Sequence, residues 1–238
     1  MKRIIILLLT ICLTQVSCVF STNKIKGNGK IVSQELKLEP FNKVNISSFA
    51  DVRIHKAEEF KAIVKTDSNL HQYVELKVEN NTLEVGICNT NASCNFTTLV
   101  IDIYTNAIED ISISGSGDVL FKDNFTSPYL NIYISGSGGV KGLIETDKFN
   151  AELKGSGGIE FKGKAKEVHF ESSGSGDIHC YKLEADTAYA NVAGSGDIKL
   201  WAKSFLNATI SGSGNVRYKG TPQIQMDVTG SGNVRNAH

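Results

Sequence analysis

Proline is scarce in this sequence, three residues in 238, whereas glycine is plentiful at 22. That balance points to tight backbone corners rather than disordered linkers. Neither charge sign prevails, because 25 Lys plus Arg face 25 Asp plus Glu. A nucleic-acid partner is therefore not expected, since such proteins usually carry a basic excess. The five histidines, at 55, 71, 169, 179 and 238, show no metal-ligand spacing. Helical periodicity is almost absent beyond residue 30, which excludes a helical fold class. The apolar run from Ile4 to Leu13 is too short for an ordinary transmembrane helix.

That run follows Met1-Lys2-Arg3 and reads as a secretory signal over residues 1–17. It ends in Gln15-Val16-Ser17-Cys18, which resembles a bacterial lipoprotein signal with Gln15 where Leu is usual. Cys18 is the expected lipidation site, and several acyl chains on it hold a protein firmly on a membrane. Without lipidation the chain would simply be secreted. Residues 18–30, polar and containing Gly27-Asn28-Gly29, read as the tether of an exported, outer membrane-anchored envelope protein. Of the remaining cysteines, Cys88 and Cys94 flank a short polar loop and suit a local disulfide in an oxidising compartment. A zinc half-site is the rival, but no histidine lies nearby in sequence.

The regular feature is a tripeptide. Gly-Ser-Gly begins at Gly115, Gly136, Gly155, Gly174, Gly194, Gly212 and Gly230, each copy followed by Gly, Asp or Asn and then Val or Ile. The intervals are 21, 19, 19, 20, 18 and 18 residues, a structural repeat. Six, four and two residues before six of the corners stand almost wholly apolar columns, for example Phe149, Ala151, Leu153 and Leu206, Ala208, Ile210. Polar or amphipathic residues such as Asn150, Glu152, Tyr189 and Asn191 alternate with them and form a solvated face. After the corner come further inward pairs, Ile159 with Phe161 and Ile178 with Cys180, which makes Cys180 a buried structural thiol.

Such a repeat cannot bury its apolar face alone, but stacked copies can. The expected fold is all-β, a right-handed parallel β-helix (β-solenoid) with about 18–21 residues per coil. Residues 31–238 then form a single domain, with irregular β-rich coils over 31–110 and regular coils over 111–238. Within the irregular half, Ser48-Phe49-Ala50 stands where a worn Gly-Ser-Gly would. The corner glycines, Gly115 and Gly117, Gly136 and Gly138, Gly155 and Gly157, Gly174 and Gly176, Gly194 and Gly196, Gly212 and Gly214, Gly230 and Gly232, are expected to supply positive φ and close stacking. The serines between them suggest a hydroxyl ladder.

With a signal sequence, a segment like Phe41 to Ile54 and repeated Gly-Ser-Gly-[Asp/Gly/Asn]-[Val/Ile], the chain resembles the putative auto-transporter adhesin, head GIN domain family over roughly residues 40–236. The resemblance implies a right-handed β-helical fold and a cell-envelope location. It supplies no catalytic residues.

Three constellations carry chemistry. Asp177 and Asp197 would stack on adjacent coils and form a weak cation candidate, but a turn role explains the position in every copy, including Gly139 and Asn215. No metal or other cofactor is expected. A polysaccharide-cleaving β-helix would need clustered acids with a base in a walled groove, and the regular repeat offers no long loop to wall one. A surface strip is the third: Tyr181 and Trp201 on adjacent rungs, with His179, Lys199, Arg217 and Lys219 beside them. Such a strip suits stacking on a sugar ring or docking an acidic partner; the alternative is an ordinary solvated strand face with two scattered aromatics. The expected function is thus adhesion or ligand binding without catalysis, toward a glycan or an envelope protein. The alternative is a structural or sensory protein that works through protein contacts or homo-oligomerisation at an uncapped coil end.

Overall fold

A computed structural model describes residues 23–88 and 92–237. The signal peptide and Cys18 lie outside the described residues. Strands of period two account for almost everything, with one 3-10 turn at His71–Tyr73 and no α-helix among the described residues.

The N-terminal half contains β1 (Asn23–Lys26), β2 (Ile31–Lys37), β3 (Lys43–Ile46), β4 (Asp51–Lys56), β5 (Lys61–Asp67), β6 (Val74–Glu79), β7 (Thr82–Ile87), β8 (Ala92–Asn95), β9 (Leu99–Thr105) and β10 (Asp110–Ile113). β3 and β4 form a first coil. Its corner is Ser48-Phe49-Ala50, as the sequence suggested: a Cβ on Gly115 would lie 1.8 Å from the Ser48 carbonyl oxygen, and one on Gly117 2.0 Å from that of Ala50. The intervening chain folds back beneath this coil. β7 pairs in parallel with β3, β9 with β4, and the antiparallel partners β6 and β5 with β2 extend the two edges. One end of the solenoid is thereby covered. Residues read as a tether are structured from Asn23 onward, because β1 pairs in parallel with β8.

The regular half contains β11 (Val119–Ile134), β12 (Val140–Leu153), β13 (Gly158–Ser172), β14 (Asp177–Val192), β15 (Ile198–Ile210), β16 (Val216–Lys219), β17 (Gln223–Val228) and β18 (Val234–Asn236). Successive coils pair in parallel, so Ile132, Ala151, Phe170, Ala190, Ala208 and Met226 form one row. The result is a β-solenoid. Its interior is continuous, and in the first regular coils it is filled by edge-on rings: Phe121 with Phe125 and Phe161, Phe149 with Phe161 and Phe170, at centroid distances of 5.0–5.4 Å. Toward the C-terminus Ala188, Ala190, Ala202 and Ala208 replace those rings. Ser172, the polar residue in an inward column, is fully buried and donates its hydroxyl to the Gly176 carbonyl at 3.2 Å.

The corners correct one expectation. Positive φ occurs at Gly29, Gly163 and Gly220 among the described glycines, at none of the Gly-Ser-Gly glycines. Glycine is required there by contact. The Ser137 amide donates to the Gly115 carbonyl at 3.1 Å, and the Ser156, Ser175 and Ser195 amides repeat the bond to the first glycine of the coil before. That bond draws the corners together until a Cβ on Gly136 would sit 1.9 Å from the Gly115 oxygen. The ladder is therefore one of backbone amides. The corner serine hydroxyls form no hydroxyl ladder among the described residues.

Candidate functional site

Where the fourth residue of a corner is Asp, its carboxylate is held by the backbone of the next coil. The Asp177 carboxylate accepts the Asp197 amide at 2.8 Å, and Asp197 accepts both the backbone and side-chain N–H of Asn215 at 2.9 Å. Asp118 accepts the Gly139 amide at 2.8 Å in the same way. Each carboxylate extends the inter-coil ladder by one rung. No group of three or more potential metal ligands occurs among the described residues.

Past the corner lies the strip expected from sequence, and its members do share one outward face. His179, Lys199 and Arg217 stand in register on successive strands, and Trp201 pairs with Lys219. The Lys219 ammonium lies 5.1 Å from the Tyr181 ring centre, and the His179 ring meets Tyr181 edge-on at 5.5 Å. Partial burial raises the Tyr181 pKa; the nearby Asp197 charge adds to this and the Arg217 charge opposes it. One detail differs from expectation: Trp201 is in register with Glu184 rather than Tyr181. The coil that starts at Gly174 is longer than the one that starts at Gly194, and register shifts between His179 and Glu184 and between Ala185 and Thr187 together absorb the difference.

Before the corner, the opposite set of outward side chains forms an open groove of about 680 Å³ across several coils. Sequence reasoning assigned these positions only to a solvated face. Its first part is knitted together: the Asn131 amide donates to Asp110 and that of Asn150 to Asn131, both at 2.7 Å. Tyr133 lies under the Lys154 ammonium at 5.1 Å, and Lys154 pairs with Glu152 at 2.6 Å. In the middle the His169 ring stacks on Tyr189 at 4.4 Å, fixed by a 2.6 Å contact from its Nε2 to Glu167. That contact, reinforced by Lys148, lowers the Glu167 pKa against a smaller opposing effect of burial. Around Tyr189 the side chains of Glu171, Asn191, Asn207 and Thr209 line the groove and make no hydrogen bond or ion pair among the described residues. The available signal was the recurrence of Tyr, His and Asn in one outward column.

Cys88 and Cys94 form the expected disulfide, with Cα atoms 6.2 Å apart. Cys180 is fully buried, and burial pushes its thiol pKa up to about 12, as suits a core residue. Site chemistry thus consists of aromatic surfaces, amides, carboxylates and cations on open strand faces.

Residues 40–222 match the family model described as "Putative auto-transporter adhesin, head GIN domain", and the chain belongs to that family. A putative adhesin from Bacteroides fragilis superposes with a TM-score of 0.85 at 26% identity, over 90% of this chain and 100% of that one. A putative lipid binding protein from Parabacteroides distasonis gives a TM-score of 0.76 at 26% identity, over 91% and 100%. A putative adhesin from Parabacteroides merdae, at 23% identity and a TM-score of 0.74 over 91% and 100%, shares the fold. No curated protein matches the sequence.

Proposed function

We propose that this member of the head GIN domain family is an exported envelope lipoprotein, anchored through Cys18, that binds an extended ligand on its outward strand faces without catalysing a reaction. The observation that carries the reading is the groove around Tyr189. Its ring is held by His169, and Glu171, Asn191, Asn207 and Thr209 beside it have hydrogen-bonding capacity that no described residue uses. An aromatic face flanked by amides, a hydroxyl and a carboxylate suits a sugar ring, which presents C–H groups on its faces and hydroxyls around its rim. Membership of an adhesin family and the likeness to the Bacteroides fragilis adhesin support attachment to a glycan as the role.

Glycan-array binding of the purified protein tests this, with Tyr189→Ala and Asn191→Ala as variants and a lipid overlay as a second arm. Loss of glycan signal in both variants is the expected result. Undiminished glycan binding, or binding confined to lipids as the Parabacteroides distasonis relative's description suggests, would overturn it. Palmitate labelling that disappears in Cys18→Ser tests the anchor, and separation of inner from outer membranes by density tests its location.

A second reading rests on the last described coil. Ile224, Met226 and Val228 continue the inward rows yet are 39%, 64% and 39% exposed. Exposed apolar side chains on such a strand favour association with a second copy of the chain. Light scattering that shows a dimer, dissolved by Met226→Glu, is its expected result, and a monomer at all concentrations counts against it.

A further inference from the structure

The rows of charged residues on the solenoid differ from one end to the other. On several rows opposite charges face each other across neighbouring strands: Lys141 pairs with Glu160 at 3.6 Å, and Lys148 with Glu167 at 3.2 Å. Like-charged neighbours also occur, as Lys162 beside Lys182 and Glu152 beside Glu171, but these go no further than two. Past the corner of the C-terminal coils the pattern breaks. Lys199, Arg217 and Arg235 follow one another in register, with His179 at the head of the row. Strand spacing puts them ~4.8 Å apart, inside the ~8 Å screening length of physiological salt. Like charges so placed destabilise a sheet. Only Arg217 has a carboxylate partner among the described residues, Asp197 Oδ2 at 3.4 Å, the other oxygen of which accepts from Asn215; Lys199 and Arg235 have none. Asp177 borders the row and is likewise bonded to the Asp197 amide.

We infer that this row is a binding site for an acidic polysaccharide, whose repeated carboxylates or sulfates complete the charge pairing that the fold leaves open. The site lies on a different face from the groove around Tyr189 and stands or falls independently of it. Tyr181 and Trp201 adjoin the row and provide ring surfaces beside the cations, with Lys219 bridging them. A linear chain of charged sugars matches a straight row of cations along the solenoid axis. A bilayer surface fits less well: the aromatics here are half-buried and flush, and the most exposed apolar side chains, Met226 and Phe49, stand elsewhere.

Two measurements test the inference. The first is biolayer interferometry of the purified protein against polygalacturonate, dextran sulfate, neutral dextran and phosphatidylglycerol vesicles. Binding to the two polyanions is expected, weakening with salt and falling at least tenfold in Lys199→Gln/Arg217→Gln/Arg235→Gln. A control with the same charge change in the N-terminal half, Lys24→Gln/Lys37→Gln/Lys65→Gln, should retain it, and Tyr189→Ala should leave it unchanged. Equal losses in both triple variants, binding to neither polyanion, or preference for the vesicles would each overturn the site. The second is thermal unfolding. The first triple variant should melt no lower than the parent at low salt, with any gain shrinking as salt rises; a lower melting temperature would show that the row is structural.

Discussion

The side-chain carboxylate of Asp177 accepts the backbone N–H of Asp197, one coil further along, at 2.8 Å. Asp197 in turn accepts two N–H groups from Asn215, so a residue type that suggests cation binding serves here to join coils. Asp197→Ala removes an acceptor and leaves the Asn215 groups unpaired. The expected loss is about 1–2 kcal/mol in urea unfolding. Calcium should leave the melting temperature of the parent unchanged, and an increase would restore the cation reading of Asp177 and Asp197.

Because corner glycines are required by contact, their tolerance should depend on position in the stack. A Cβ on Gly176 would lie 2.1 Å from the Gly157 oxygen and 2.8 Å from Leu153 Cδ2, and the Gly196 corner presses from the other side. Gly176→Ala should therefore cost about 3 kcal/mol through forced backbone displacement. At Gly232 the Cβ would meet the Gly214 oxygen at 1.8 Å, but no described coil lies beyond. The last coil can lift away, and Gly232→Ala should cost less than ~1 kcal/mol. Equal losses would mean that backbone conformation, rather than stacking, sets the requirement.

What the sequence made legible was whatever repeats. The inward columns and the corners are visible because period-two alternation and an 18–21-residue interval both record burial. Even the worn corner at Ser48 was readable, since flanking Val44, Ile46, Val52 and Ile54 keep the pattern. The N-terminal cap was not. Antiparallel β5 and β6 alternate with the same period as the parallel strands, and alternation does not encode a strand's partner. The groove stayed hidden for another reason: alignment on the corners already puts Asn150, His169 and Tyr189 in one outward column, but alternation does not distinguish a groove from an ordinary solvated face. The offset of Tyr181 from Trp201 depends on a bulge that spacing alone does not place.

The cysteines give a direct chemical check. Cys180 is buried with its thiol pKa raised to about 12, so it should resist a thiol reagent until the protein unfolds. Cys88 and Cys94 should react only after reduction. Replacing both with Ser should cost about 2 kcal/mol, since the bond closes a short loop. A fast-reacting Cys180 in the native protein would contradict its place in the core.

Asp67 predicts how the domain responds to acid. Its side chain is fully buried beneath the loop that contains Gly27 and Gly29, so closely that a Cβ on Gly27 would lie 2.4 Å from the carboxyl carbon. Burial alone would raise the pKa, but the amides of Thr97 and Gly29, each donating at 2.7 Å, reverse the effect and hold it below the usual value. A carboxylate whose folded pKa is depressed contributes stability that is present above its unfolded pKa, about 3.9, and is lost as pH falls through the folded value. Stability should thus be steady in this respect from neutral pH to about 4 and decline below it. Asp67→Asn turns one acceptor into a donor facing an N–H, so it should destabilise at neutral pH and flatten the acid limb. Urea unfolding of parent and variant between about pH 3 and 7 measures both effects, and parallel acid limbs would show that other carboxylates govern the transition.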